Sequence, residues 1–211
     1  APALSLDMQA DDAAIAATHG LVGLNGVSGA RLLSHLPDQA ASLALVTGTA
    51  SIFAPTERRW GSDSYGNALL TRRSIEQWRR ETLASPRTPP KRNTLTVATA
   101  FAGTTLSVIV TQVDSGYDRD DQLAEVVRRF RALPEPVLLM GELNATPDLP
   151  IMRGLLADDR VRHATVAMPT ATGPRPVDWI VGRGLYVSPP NPCDTGVSDH
   201  PAIVVEIKPL S

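Results

Sequence analysis

The sequence predicts an α/β domain in which two β-sheets pack against each other and helices cover them. Three observations lead there. Apolar runs of strand length recur through the second half. A segment with one apolar helical face joins two of them, and polar residues gather just beyond the strand ends, where α/β proteins build their sites.

From the N-terminus, "ALSLDMQ" reads as a first strand, "DDAAIAATHG" as a short helix and "GLVGLNGV" as strand-like. "SGARLLSHLP" reads as helical, and "YGNALLTRRSI" contains a strand core. "ASPRTPPKRN", Ala84 to Asn93, is proline-rich and polar, and reads as a long loop inside one domain spanning 1–211. "TLTVATAFAGTTLSVIVTQV" reads as two strands around a turn at Gly103. In "DRDDQLAEVVRRFRAL", Leu123, Val126, Val127, Phe130 and Leu133 recur at helical spacing and form one apolar face. Asp118 or Asp120 stands where a helix cap belongs, and Arg128, Arg129 and Arg131 are assigned to solvent. "PVLLMGEL" follows as a buried strand, so strand, helix and strand predict a parallel crossover. "LPIMRGLLAD" reads as a short helix, "RPVDWIVG" as a strand and "HPAIVVEI" as the last strand.

Composition narrows the function classes. With 211 residues, 43% hydrophobic and 20% charged, the chain can bury a sizeable core. No apolar run approaches the ~20 residues a membrane helix needs. The single cysteine, Cys193, excludes an internal disulfide framework and a cysteine-based zinc site, and reads as a loop thiol. "APALSLDMQ" lacks the charged and apolar regions of a signal peptide, although Ala1 and Ala3 are the small residues found near cleavage sites. A cytoplasmic and a secreted location both stay open. The net charge of −2 is unevenly spread: between Glu57 and Arg92 nine basic residues face four acids, giving +5 there and −7 elsewhere. Such a stretch attracts phosphate or another anion, or is simply a solvated surface. Trp60 and Trp78 flank it, but lone tryptophans are more often packing, and few aromatics are suited to stacking on bases.

The stretch "PVLLMGELNATPD" carries the chemistry. Its apolar run ends in Glu142 and Asn144, two residues apart, so an extended backbone points both the same way. "TQVD", "VDW" and "SDH" place further polar groups at other strand ends. Carboxylates, an amide and a histidine converging there suit Mg²⁺ and a phosphate, because magnesium takes oxygen ligands and keeps several waters.

Taken in order, "GLVGLNGV", "YGNALLTR", "TQVDSGYDRDDQ", "GELNATPD", "RPVDWIV" and "SDHPAIVVEI" resemble the motifs of the endonuclease/exonuclease/phosphatase superfamily, from about Leu21 to Ile207. The resemblance implies a DNase I-like four-layer α/β sandwich and metal-dependent phosphoester hydrolysis. In the family, a Glu at the end of a Leu-Gln-Glu strand holds the divalent metal. The Asp of Gly-Asp-x-Asn orients the attacking water, and its Asn positions the phosphate. A final His, oriented by the Asp of Ile-Asp-Tyr, stabilises phosphoryl charge. Asn144, Asp178, Asp199 and His200 match these patterns, as do Tyr65 and Asn67 of the Tyr-Gly-Asn strand. Arg119 and Gln122 match an Arg-x-x-Gln pair that is usually structural. The implied set is therefore His200, Asp178, Glu142 and Asn144 in catalysis. Asn67, Gln112 and Tyr65 would contact substrate, and Asp199 and Glu142 would hold a weakened Mg²⁺ site.

Three positions depart from the pattern. Gly26 stands where the metal-binding Glu belongs, after Asn25 in place of Gln; Gln112 replaces a His, and Glu142 replaces the Asp. Gln9 aligns with the family's first-strand Asn. Glycine cannot ligate a cation, while Glu142 keeps its charge on a longer arm that can reach toward the space beside Gly26. Three readings follow: a phosphoesterase with a rearranged metal site, a non-hydrolytic protein that binds a ligand or partner through the old cleft, and a metal-free acid/base enzyme. A phosphate-containing small molecule or a nucleic acid is the expected partner of the first.

Overall fold

The computed structural model describes residues 20–29, 38–56, 58–59, 62–63, 65–86, 91–168, 174–193 and 200–210. The expected first strand with Gln9, the helix "DDAAIAATHG" with His19, most of "SGARLLSHLP" with His35, Trp60 and Asp199 lie outside the described residues.

Two sheets dominate. Strands β1 (Leu21–Val27) and β2 (Ala50–Pro55), the short ribbon β3 (Arg58–Arg59) and β4 (Ser62–Asp63), and β5 (Gly66–Thr71) come first. β1, β5 and β2 form an antiparallel sheet in the order β1-β5-β2. The larger sheet contains β6 (Ile75–Leu83), β7 (Arg92–Phe101), β8 (Thr104–Gln112), β9 (Val137–Glu142), β10 (Val161–Met168) and β11 (Arg175–Arg183), in the order β10-β11-β9-β8-β7-β6. Its one parallel pair is β8 with β9, joined by a helix as the sequence pattern predicts. Short pairs of β12 (Leu185–Val187) with β15 (Ile207–Pro209) and of β13 (Asn191–Cys193) with β14 (Ala202–Val204) complete the described strands. The described helices are α1 (Gln39–Thr47), α2 (Arg119–Ala132) and α3 (Pro150–Leu156).

Burial sorts these elements into four layers. α1 packs Ala40 and Leu43 on the outer face of the small sheet, against Val27, Ala68 and Leu70. The inner faces meet through Ile52, Ala54 and Leu69 on one side and Leu95, Val97, Val108, Val110, Leu138 and Ile180 on the other. On the far face of the large sheet, Leu123, Val126, Val127 and Phe130 of α2 and Met152 and Leu155 of α3 cover Ile109, Leu139, Trp179 and Val181. Burying each such side chain contributes about 1.5–3 kcal/mol, which makes the apolar stripe of α2 the main reason it docks there. The result is the helix, sheet, sheet, helix sandwich that the resemblance implied. No helix among the described residues is long and apolar enough to cross a membrane.

Several local expectations change. The hairpin β7–β8 turns through Ala102 and Gly103, both at positive φ (49° and 82°), which matches the twist of a two-residue hairpin. Because of that hairpin, Arg92 and Asn93 begin β7 rather than end a loop. Asp118 is the residue preceding α2, but its side chain makes no capping hydrogen bond. Arg129 does not point to solvent: its side chain is 13% exposed and donates to Glu125, to Thr94 Oγ1 and to the Glu81 carbonyl. "HPAIVVEI" splits into β14 and β15, which pair with different partners, and Cys193 sits on β13 rather than in a loop. Elements β2, β6, β10 and α1 had no clear signal. The exposed run Glu76–Arg80 of β6 is charged on both faces because β6 is an outer strand of the sheet, so no apolar alternation marks it.

Candidate active site

The cleft follows from strand periodicity. Alternate residues of a strand face the same side, so any residue two steps beyond an inter-sheet Leu or Val faces the inter-sheet space. In β8 that series ends Val108, Val110, Gln112; in β9 it ends Leu138, Met140, Glu142; in β11, Ile180 is preceded by Asp178. The same parity places Asn93 in line with Leu95, Asn67 with Leu69, and Asn25 with Leu21 and Gly23. One end of the core between the sheets is therefore polar, with its side chains supplied by six strands.

Register brings the three chemical strands level. Glu142 is the Cα partner of Gln112 on the parallel side and of Asp178 on the antiparallel side. Gly141 makes that approach of β8 and β9 work: its φ is 150°, and a Cβ there would overlap the Thr111 carbonyl. Past β9 the chain is fastened to both neighbours. Val113 N donates to Glu142 O at 2.9 Å, Leu143 N to Val177 O at 2.8 Å, and the indole of Trp179 to Ala145 O at 2.9 Å. Asn144 turns through a left-handed conformation (φ 48°), which asparagine tolerates better than most residues.

The Glu142 carboxylate accepts two amides. Gln112 Nε2 donates to Oε2 at 2.6 Å, and Asn144 Nδ2 donates to Oε1 at 2.8 Å. Asn144 Nδ2 also donates to the Val113 carbonyl at 3.0 Å, so that amide group is engaged in holding the loop and the carboxylate. Arg92 Nη1 donates to Gln112 Oε1 at 2.6 Å, making a chain from a guanidinium through an amide to a carboxylate. The Arg92 guanidinium lies 5.7 Å from the centre of the Tyr65 ring. Beside Glu142, His200 Nδ1 and Asp178 Oδ2 are 2.7 Å apart, with side chains 32% and 20% exposed. Glu142, Asp178 and His200 each offer a ligand atom, and these atoms all lie within 4.8 Å of one another. Such a cluster suits a single divalent cation held by carboxylate oxygens, with the imidazole close beside it.

Other side chains around the cleft are engaged by neighbouring groups. Asn67 is 2% exposed; its Oδ1 accepts from Asn25 Nδ2 at 2.7 Å and its Nδ2 donates to Asn93 Oδ1 at 3.0 Å. Asn25 continues to the Thr111 carbonyl and Asn93 to the Pro55 carbonyl. This ladder of three asparagines ties the small sheet to the large one directly behind Gln112. Gln122 is buried and holds the 114–118 loop through Asp114 N, with its Nε2 on Ala84 O and Ser85 Oγ. Gly26 lies on an irregularity of β1 between Leu24 and Val27, exposed, with φ 67° and nothing within 4 Å of where a Cβ would stand. His163 stacks on Trp179 with ring centres 5.6 Å apart, and burial lowers its pKa.

Arg92 is the site residue that the sequence hides, because it closes a charged, proline-rich stretch that reads as loop. The signal was available: in a two-residue hairpin turning at Ala102 and Gly103, paired positions sum to 205, so Asn93 must face Gln112 and Arg92 must flank it.

Comparison with known proteins agrees with this architecture. Among solved structures, the chain is similar to an endonuclease/exonuclease/phosphatase family protein from Leptotrichia buccalis C-1013-b, with TM-score 0.72 and 15% identity over 97% of this chain and 95% of that one. The endonuclease/exonuclease/phosphatase from Bacteroides vulgatus gives TM-score 0.75 and 12% identity, covering 97% and 90%. TDP2 from D. rerio, complexed with a single-strand DNA product, gives 0.70 and 17%, covering 97% and 94%. At these identities the likeness is one of fold. No curated protein matches the sequence. The model of the Endonuclease/Exonuclease/phosphatase family matches residues 8–200, and with nearly the whole chain matched, the protein belongs to that family.

Proposed function

We propose that this protein hydrolyses phosphoesters with a divalent cation, Mg²⁺ or Mn²⁺, in a site reorganised around Glu142. The observation that carries this reading is the meeting of Glu142, Asp178 and His200 within 4.8 Å at the polar end of the inter-sheet core. The donor set fits a divalent cation: Glu142 already has its two oxygens oriented by the amides of Gln112 and Asn144, and a carboxylate oxygen that accepts one hydrogen bond keeps a lone pair for a metal. Glu142 and Asp178, with Asp199 from outside the described residues, are the ligands we assign. A bound divalent cation would supply charge neutralisation at the phosphoryl oxygens and a more acidic water.

The chain's own groups divide the remaining work. His200, oriented through Nδ1 by Asp178, presents its other nitrogen to the phosphoryl group and donates there as negative charge develops. Glu142 orients the attacking water, and Gln112 and Asn144 keep its carboxylate in place. Arg92 polarises Gln112 and adds positive charge behind the carboxylate, which favours an anionic substrate. The DNA product in the TDP2 structure makes a phosphodiester a reasonable substrate class for this chain too.

The test is hydrolysis of bis-p-nitrophenyl phosphate with Mg²⁺ or Mn²⁺ and with chelator. Metal-dependent turnover lost by about a hundredfold or more in His200→Ala and in Glu142→Gln supports the reading. No turnover with any divalent ion, together with no cation binding in calorimetry, removes it. One observation favours a non-hydrolytic binding protein instead. The position of the family's metal-binding Glu is a glycine, and no atom among the described residues lies within 4 Å of where its Cβ would stand. That reading expects ligand binding that survives Glu142→Ala.

A further inference from the structure

A hollow borders the cleft where the 115–119 loop approaches the start of β11. It encloses about 220 Å³ and is lined by Ser115, Arg119, Asn144, Thr146, Arg175 and Val177. Asn144 borders both hollow and cleft. The hollow thus begins one side chain away from the Glu142 carboxylate.

Its lining is unlike the cleft. Two arginines contribute from separate elements, the start of α2 and the start of β11, with two hydroxyls and an amide, and no carboxylate lines it. Neighbouring acids leave much of this charge available. Asp120 engages only Nε of Arg119, at 2.8 Å, and Arg119 retains about a third of its side-chain exposure. Arg175 is exposed and makes no hydrogen bond or ion pair among the described residues. The nearby Asp148 is held ionised first by the Thr146 hydroxyl and its own backbone, with Arg153 and Arg175 contributing charge from farther away. Two guanidiniums around a small hollow match the planar, forked geometry with which arginine recognises phosphate. The size is also informative: pockets for whole small-molecule ligands run from about 300 Å³ upward, so this one suits a single anionic group.

We propose that the hollow between the 115–119 loop and the start of β11 is an anion subsite that takes a second phosphate of the substrate while the first is held at Glu142 and His200. The substrate class is a compact phosphoester with two phosphoryl groups. This deepens the phosphoesterase reading and rests on it for the word substrate, but the anion binding stands without hydrolysis.

Inorganic diphosphate is the probe. Calorimetry on the full chain should give binding that weakens as salt rises and falls about tenfold or more in Arg175→Ala and in Arg119→Gln. Arg175 is exposed and makes no side-chain hydrogen bond among the described residues, so its replacement should leave the melting temperature within a degree or so of wild type, which thermal denaturation checks. Equal affinity in wild type and Arg175→Ala, or a loss confined to His200→Ala, overturns the subsite. With turnover in hand, Arg175→Ala should raise KM about tenfold for thymidine 3′-phosphate 5′-(p-nitrophenyl phosphate) and leave bis-p-nitrophenyl phosphate unaffected. An equal change for both substrates also overturns it. If no substrate is turned over but diphosphate binding depends on Arg175, the subsite survives and the hydrolase reading fails. If turnover persists and diphosphate binding ignores Arg175, the reverse holds.

Discussion

Restoring an acid at position 26 is the most direct perturbation of this site. Gly26 sits at the β1 irregularity with φ 67°, a conformation that costs an L-residue about 1–2 kcal/mol. Replacing glycine also lowers the entropy of the unfolded chain, which offsets about 0.4–1 kcal/mol of that. No atom lies within 4 Å of the new Cβ, so no steric cost adds to the sum. Gly26→Ala should therefore lose about 1 kcal/mol and melt roughly 2–4 °C lower, a change readable by thermal denaturation. Gly26→Glu should melt within a degree or so of Gly26→Ala, because the carboxylate extends into open space. What separates the two variants is the cation. The preceding Asn25 bonds to the Thr111 carbonyl, one residue before Gln112, so this end of β1 borders the Gln112–Glu142 pair, and a carboxylate at 26 is the added group with the shortest path to a cation there. Gross attraction between a carboxylate and a divalent ion near 5 Å is on the order of 7 kcal/mol at an effective dielectric of ~20, and desolvation cancels most of it. A net gain of about 1.4 kcal/mol, tenfold in Mn²⁺ affinity by calorimetry relative to Gly26→Ala, is the conservative expectation. Equal Mn²⁺ affinity and equal turnover in the Glu and Ala variants would refute the reasoning, since it would mean that position 26 does not face the cation.

Other outcomes follow from the same geometry. Asn67→Ala leaves Asn25 and Asn93 each short of a buried partner and should cost about 2–3 kcal/mol, seen as a lower denaturant midpoint with an unchanged m-value. Gly141→Ala forces a Cβ onto the Thr111 carbonyl and should cost more than about 4 kcal/mol, or prevent soluble expression, whereas Gly103→Ala should be mild. Glu125 has its pKa lowered from 4.5 to about 2 by hydrogen bonds from Arg128 and Arg129, opposed by desolvation. A depressed carboxylate stabilises the fold above its unfolded pKa and loses that contribution as pH falls through the folded value. Glu125→Gln should thus be about 1 kcal/mol less stable than wild type at pH 6, the modest figure reflecting the water-exposed Arg128, with the difference shrinking below pH 4.5 and gone near pH 2.

The fold was legible where one periodicity held over many residues. α2 shows its apolar face because one side meets the sheet and the other meets water, and β8 and β9 show continuous apolar runs because both of their faces are covered. α1 was not legible, although Asp38 caps it and Gly48 ends it, because its small residues are buried on one side while Leu45 and Val46 stand exposed. No contrast between faces remains to be read. Arg129 was misjudged for a related reason: its charge says solvent, but Thr94 and the Glu81 backbone satisfy its guanidinium where α2 crosses β7.

The site was legible in a different way. Glu142 and Asn144 pair from their spacing alone, and the same two-residue rule holds in the other strands of the cleft. In every strand of the cleft the inward-facing series of Leu, Val or Met ends on a polar residue, which collects Asn25, Asn67, Asn93, Gln112 and Asp178 onto one face with Glu142. Periodicity assigns a face, however, and not a partner. Whether an amide on that face meets substrate or meets another amide depends on which strands are adjacent, and that order, β10-β11-β9-β8-β7-β6 under β1-β5-β2, arises from long-range pairing. Asn67 illustrates the consequence: the same residue in the same strand is a cleft-lining donor if its neighbour is solvent, and a strut between sheets because its neighbours are Asn25 and Asn93. The amides nearest Glu142 differ from it for one physical reason. Gln112 and Asn144 meet a carboxylate rather than another amide, so their hydrogen bonds fix the orientation of a charge, and a fixed charge is what a cation or a polarised water can use.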